Sequence, residues 1–327
     1  MPRLYTFIRN PLVEKIFLCV LAGVYVVYLV GFVGILSPFG STPNQVAGVV
    51  EDQVDANPNS VVQYWSTANM STVANDDEQL GNVPDFSQVD TNAGKAVQQD
   101  GQAPRDGNLS FPLSTVGKIF FSDSSGRNYV CSGTAIASTN HNMVDTAGHC
   151  LYGQGKWMQN VLFCPLYDKG IGPYDCWVAR ALLVPAEWMR AKPNELHRDF
   201  GMIVVNPNEQ GNLTDIVGGA GWAYNQPIEQ SYYAYGYPAG SPFNGETRQS
   251  CDKGSVGKSW NHAGGKVVSI PCDMTGGSSG GPWFIKSGNS WYLDGHNDFT
   301  STIQRGHMFS PYYDDTWYAL YTKAQNA

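Results

Sequence analysis

From Phe111 onward the chain is a succession of short β-branched and aromatic runs, each broken by Gly, Pro, Asn or Ser. The runs are Lys118–Phe121, Tyr129–Ile136, Met143–Thr146, Met202–Val205, Tyr232–Tyr237, Val267–Ile270, Trp283–Lys286 and Trp291–Gly295. Such runs suit strands, because branched and aromatic side chains pack on a pleated surface while the punctuating residues supply turns. Helical periodicity emerges only at the end. There Asp314–Thr322 places acids at an N-terminus and sets Trp317, Leu320 and Tyr321 on one face. The pattern predicts an all-β body of barrels or a sandwich closed by one C-terminal helix, with no internal repeat. An apolar content of 42% against 15% charged residues excludes a chain that is disordered throughout.

The first residues have a different character. Ile16–Leu36 is 21 positions without a charge or a proline, long enough as a helix to cross a bilayer core of roughly 30 Å. Arg3, Arg9 and Lys15 precede it and no basic residue follows until Lys95. That asymmetry keeps residues 1–15 in the cytoplasm and places all that follows residue 36 outside. Residues 16–36 are therefore a transmembrane signal-anchor or a signal peptide. The span is longer than the usual signal core and lacks a clear small-residue cleavage site. Either way the body is extracytoplasmic, attached to the membrane through residues 16–36 if they are not cleaved. Six cysteines follow the span, at 131, 150, 164, 176, 251 and 272, with none of the close pairing of a zinc or thiol-redox site. An even number in an exported body points to structural disulfides. Cys19 lies within the apolar span.

The net charge of −8 is unevenly placed. Residues 37–112 carry ten acids against Lys95 and Arg105, whereas residues 113–327 are nearly neutral. This balance argues against a nucleic-acid partner. The acidic stretch 37–112 reads as a solvated linker or a propeptide, and its one apolar patch, Val61–Met70, is the part that could dock on the body. Asn69, Asn108 and Asn212 begin glycosylation sequons.

Three segments carry chemistry. Thr146-Ala147-Gly148-His149-Cys150 places a histidine just past a strand end, and Asp199-Phe200-Gly201-Met202-Ile203-Val204-Val205 places a carboxylate just before one. Gly276-Gly277-Ser278-Ser279-Gly280-Gly281-Pro282 places a serine in a loop whose backbone amides can turn towards a substrate. A serine hydroxyl needs an imidazole to accept its proton, and the imidazole needs a carboxylate to hold its tautomer. Amide donors must meet the oxyanion that forms. Each segment alone has ordinary explanations: a turn, a strand-start cap, a satisfied core histidine. In the order His–Asp–Ser they form a nucleophilic constellation.

These segments, with Val116-Gly117-Lys118-Ile119-Phe120-Phe121, Cys131-Ser132-Gly133-Thr134 and Gly236-Tyr237-Pro238, resemble the chymotrypsin-fold, trypsin-like serine peptidases. The resemblance covers most of residues 113–327 and is nearest to the secreted bacterial and fungal branch that includes glutamyl-endopeptidase-like enzymes. It implies two six-stranded antiparallel β-barrels, with His149 as general base, Asp199 as its orienting carboxylate and Ser279 as nucleophile. It further implies an oxyanion hole made by the Gly277 and Ser279 amides, and no metal or organic cofactor. The bridges it implies are Cys131–Cys150, then Cys164–Cys176 and Cys251–Cys272. Tyr64-Trp65-Ser66-Thr67 resembles a stretch of the propeptides of related enzymes. The implied partner is a protein or peptide substrate, met by a monomer.

One departure stands out. The family pattern has Asp before the nucleophile, where it pairs with a freed N-terminal amine, and this chain has Ser278. Maturation is therefore expected to work by removal of a covering segment. Two residues bear on specificity and conflict. Asp273 resembles the carboxylate beneath a pocket for Lys or Arg, and His296 resembles the histidine that receives a Glu carboxylate, so no preference is assigned. His141, His197, His262 and His307 read as surface residues. Gly277-Ser278-Ser279-Gly280-Gly281 also fits the nucleophile elbow of α/β-hydrolase esterases. Only 48 residues follow Ser279, without the alternating strands and helices such a fold needs. The other alternative is a peptidase-like binding module without activity.

Overall fold

In a computed structural model of the protein, the described residues are 48–75, 79–80, 87–88, 94–104, 110–190 and 195–327. The apolar segment Ile16–Leu36 lies outside them. No helix among the described residues is long and apolar enough to cross a membrane.

The fold is mostly β, with the chymotrypsin-like arrangement and a C-terminal helix. In the first half, Trp177–Pro185, Gln159–Pro165, Val116–Ser122, Asn128–Ile136, Met143–Thr146 and Gly201–Val205 pair in that order. Gly201–Val205 pairs back onto Trp177–Pro185, closing a six-stranded barrel. Its interior holds Ile119, Phe121, Val144, Phe163, Trp177, Leu182 and Ile203. Phe120, Val130, Met143 and Met202 face outward into a second cluster shared with Tyr237, Phe284 and Trp317. Val116–Ser122 is thus buried at all seven positions, and the simple in-out alternation of a half-exposed strand is lost. In the second half, Ser231–Gly236, Pro282–Ser287 and Ser290–His296 belong to one sheet and Gly265–Pro271 and His307–Pro311 to another. The two sheets enclose Tyr232, Ile270, Trp283, Ile285 and Met308.

The helix Asp315–Ala324 is capped by Asp314, whose side chain accepts from Thr316 N at 2.8 Å. Trp317, Leu320, Tyr321 and Ala324 are buried, the i, i+3, i+4, i+7 stripe that seats the helix on the body. Three disulfides join Cys131 to Cys150, Cys164 to Cys176 and Cys251 to Cys272. The first ties the strand Asn128–Ile136 to the turn carrying His149.

The described parts of residues 48–104 form an arm that pairs with strands of both halves. Val49–Gln53 pairs antiparallel with Trp177–Pro185, and Ala74–Asn75 pairs parallel with Asn128–Ile136. Further on, Gln79–Leu80 pairs with Phe299–Ser301, Ser87–Gln88 with Lys258–His262 and Val97–Gln99 with Gly221–Tyr224. One side chain anchors the arm. The helix Pro58–Tyr64 delivers Trp65 against Phe120 at a ring separation of 5.5 Å, and Trp65 Nε1 donates to Asn160 O. Tyr64 Oη bonds Asn128 Oδ1 at 2.7 Å beside it.

A Trp65→Ala change in the intact chain removes this anchor. It is predicted to lower unfolding stability by about 3–5 kcal/mol, the usual cost of truncating a buried Trp. Denaturant unfolding measures it, and a loss below about 1 kcal/mol would show that the arm rests on the body without stabilising it.

Candidate active site

Strand register brings the first two site residues together. Gly201–Val205 pairs antiparallel with Met143–Thr146, Gly201 opposite Thr146, so the chain entering one strand meets the chain leaving the other. Asp199 lies just before the first of these and His149 just after the second, in the 3-10 turn Gly148–Cys150. The carboxylate grips this turn twice. Asp199 Oδ1 accepts from His149 N at 2.7 Å, and Oδ2 meets His149 Nδ1 at 2.8 Å. Asp199 is fully buried and His149 nearly so, so bulk water hardly screens the pair. Because a carboxylate only accepts, this contact puts the ring proton on Nδ1 and leaves Nε2 to act as the base.

Ser279 comes from the other half, and Ser132 ties it to the first barrel. Ser132 N donates to Ser279 O at 2.7 Å, Ser132 Oγ donates to Gly277 O at 3.0 Å, and Tyr237 N donates to Ser132 Oγ at 2.8 Å. Thr146 Oγ1 in turn donates to Ser132 O at 2.9 Å. The loop can close this tightly only around glycine. A Cβ on Gly280 would stand 2.0 Å from Thr146 Oγ1 and 2.4 Å from Ser132 O, and the residue has φ +78°. Gly277 has φ +92°, and among the described residues neither its amide nor that of Ser279 is engaged by an acceptor. Ser278 is buried, its Oγ donating to Thr275 O at 2.8 Å.

A second carboxyl, Asp298, joins the cluster. Its Oδ1 lies 3.5 Å from His149 Nδ1, and its main-chain oxygen lies 3.5 Å from Ser279 Oγ. Burial and the neighbouring Asp199 charge push its carboxyl well above the usual range. Nothing in its sequence surroundings, Gly-His-Asn-Asp-Phe, signals this position. One ring nitrogen of His149 and one oxygen from each of Asp199 and Asp298 lie within 4.8 Å of one another, a spacing that a cation could bridge. The bond already formed between Nδ1 and Asp199 suits the set to proton transfer instead.

The other expected residues lie elsewhere. His296 is enclosed behind Asp199. Its Nε2 donates to the main-chain oxygen of Asp199 at 3.1 Å, while Nδ1 lies 2.9 Å from Tyr313 Oη and 3.4 Å from Asp145 Oδ1. Asp145 also accepts from Tyr313 Oη at 2.6 Å and Trp317 Nε1 at 2.8 Å, which links the C-terminal helix to the back of the site. Asp273 is an exposed loop residue beside Cys272. The reading of four surface histidines is corrected. His262 is buried, its ring 5.7 Å from that of Phe299, and the other three are half-buried. Burial, helped by Arg198 and His262, pushes His197 down to about 4.

No curated protein matches the chain significantly. Residues 131–290 match the trypsin-like peptidase domain. Among solved structures, the chain is similar to a thermostable serine protease, AL20, from an extremophilic microorganism. The two share 36% identity, with 66% of this chain and 98% of that chain covered and a TM-score of 0.59. It is also similar to the protease Anisep from Arthrobacter nicotinovorans at 36% identity, covering 71% of this chain and all of the other with a TM-score of 0.58. Homology at this level over the whole of those proteins, on the same fold, makes the chain a member of the trypsin-like serine peptidase family.

Proposed function

We propose that the protein is an exported serine endopeptidase working through His149, Asp199 and Ser279. The observation that carries this reading is the double hold of Asp199 on His149, beside a serine whose loop leaves two amides unengaged. Ser279 Oγ attacks the scissile carbonyl as His149 Nε2 takes its proton, and Asp199 stabilises the imidazolium. The Gly277 and Ser279 amides receive the oxyanion, a contribution of roughly 10²–10³ in rate for each donor. His149 then gives the proton to the leaving amine, forming an acyl-enzyme that water resolves by the same steps in reverse.

Three disulfides support an extracytoplasmic location. Whether anchored through residues 16–36 or released, the body would meet peptide substrates outside the cytoplasm. The arm is read as a covering propeptide. Gln79–Leu80 pairs with Phe299–Ser301, whose first residue follows Asp298, the residue touching Ser279. A peptide reaching Ser279 would add as a strand to that same edge.

Ser279→Ala and His149→Ala are each predicted to lower kcat for peptide hydrolysis by about 10⁶-fold. Short substrates with Arg, Glu or Leu before the scissile bond make the measurement and rank specificity in the same assay. Hydrolysis that survives in either variant would exclude the triad. N-terminal sequencing of the purified active protein tests the arm. The propeptide reading predicts a start beyond residue 104, and a fully active chain beginning before residue 60 would contradict it.

A further inference from the structure

The mechanism above leaves one buried group of the cluster unused. Asp298 sits between Asn297 and the strand Phe299–Ser301, its amide donating to Phe309 O at 2.9 Å and its side chain fully enclosed. Neither of its carboxyl oxygens makes a well-formed hydrogen bond among the described residues: Oδ1 lies 3.5 Å from His149 Nδ1, and the carboxyl otherwise meets that of Asp199. Asp199 beside it receives both available donors, the amide and the ring N–H of His149.

This distribution decides which acid holds a proton. Two carboxylates packed together away from water cannot both ionise cheaply, and the charge settles where the donors are. Those donors belong to Asp199. The charged or titratable groups acting on Asp298 are Asp199 and His149, both from the first barrel. Behind Asp199 stand His296, Tyr313 and Asp145, which reach Asp199 through its main-chain oxygen.

We propose that Asp298 is a positioning residue of the triad, a neutral carboxylic acid whose O–H donates to the Asp199 carboxylate as its third donor. This rests on the triad reading above. The two carboxyls present oxygens within 4.8 Å of one another, beside the His149 ring. The neutral acid has two effects. It holds Asp199 still while His149 takes and returns the proton. It also keeps a second negative charge away from the imidazole, so that His149 can release its proton near neutral pH. An ionised Asp298 would instead hold the proton on the ring and suppress the base.

The test compares the full wild-type chain with Asp298→Leu and Asp298→Asn. Leu removes the donor at similar volume, and Asn restores a neutral donor. Two readouts apply: the pH dependence of inactivation by a fluorophosphonate, and the NMR titration of the His149 ring. Asp298→Leu is expected to slow inactivation by about 10- to 100-fold and to lower kcat with KM unchanged, as loss of a bond to a charged group does. Asp298→Asn is expected to recover all but about threefold of that loss and to keep the His149 midpoint within about 0.5 unit of wild type. A midpoint about one unit or more lower in Asp298→Asn would mean that a negative charge had been removed, and would overturn the proposal. So would a Leu variant indistinguishable from wild type. The two readings fail separately. A wild-type protein that resists the fluorophosphonate both as the full chain and after cleavage beyond residue 104 sinks the peptidase mechanism, while the NMR midpoints still decide the state of Asp298.

Discussion

The site depends on one buried contact, the double hold of Asp199 on His149 through its main-chain amide and its ring at 2.7 and 2.8 Å. Removing one partner of a buried charged pair typically costs about 3–5 kcal/mol, because the other is left without compensation. The pairing of Gly201 with Thr146 supplies the geometry, since a slip of one residue would turn every side chain of the strand to the opposite face. Cys131–Cys150 and the Trp317–Asp145–Tyr313–His296 chain hold the same corner from two further directions. The C-terminal helix, more than a hundred residues beyond Asp199 in sequence, thereby reaches its main chain.

Ser279 is positioned by packing. Ser132 makes three hydrogen bonds that run to Ser279, Gly277 and Tyr237, and Gly280 fits where no Cβ could. The first barrel thus sets where the serine of the second half stands. Ser278 lies in the same frame, its hydroxyl and amide both bonded within its own loop to Thr275 O.

Much of this was legible in the sequence wherever neighbouring residues share a task. Seven of the eight strand runs fall within observed strands, Tyr232–Tyr237 overruns its strand by one residue, and the final helix is displaced by only a residue or two. The triad segments could be read because each joins a reactive side chain to the strand or turn that positions it. Gln249–Val256 left little signal, being polar with no buried residue, and Lys258–His262 little more, since the residues it buries, Ser259 and His262, are polar. The arm's strands are short and pair with distant parts of the chain, a register that no local side-chain pattern records. Only the Tyr64-Trp65 patch announced a docked segment, because a Trp inside an acidic stretch needs apolar cover. Asp298 was invisible for a different reason. Its importance comes from Asp199 and His149, placed beside it from other parts of the chain. His296 illustrates the limit of resemblance, since its ring is enclosed and bonded within the protein.

The account stands on Ser279 being activated by His149, and mapping a covalent adduct tests that most directly. The protein in its processed, active form, treated with a fluorophosphonate and digested, is examined by mass spectrometry beside the likewise processed His149→Ala variant. The account predicts a single adduct on the peptide carrying Gly276–Gly281, localised to Ser279 and missing from the variant. An adduct on another serine, or one that forms on Ser279 equally well without His149, would contradict it.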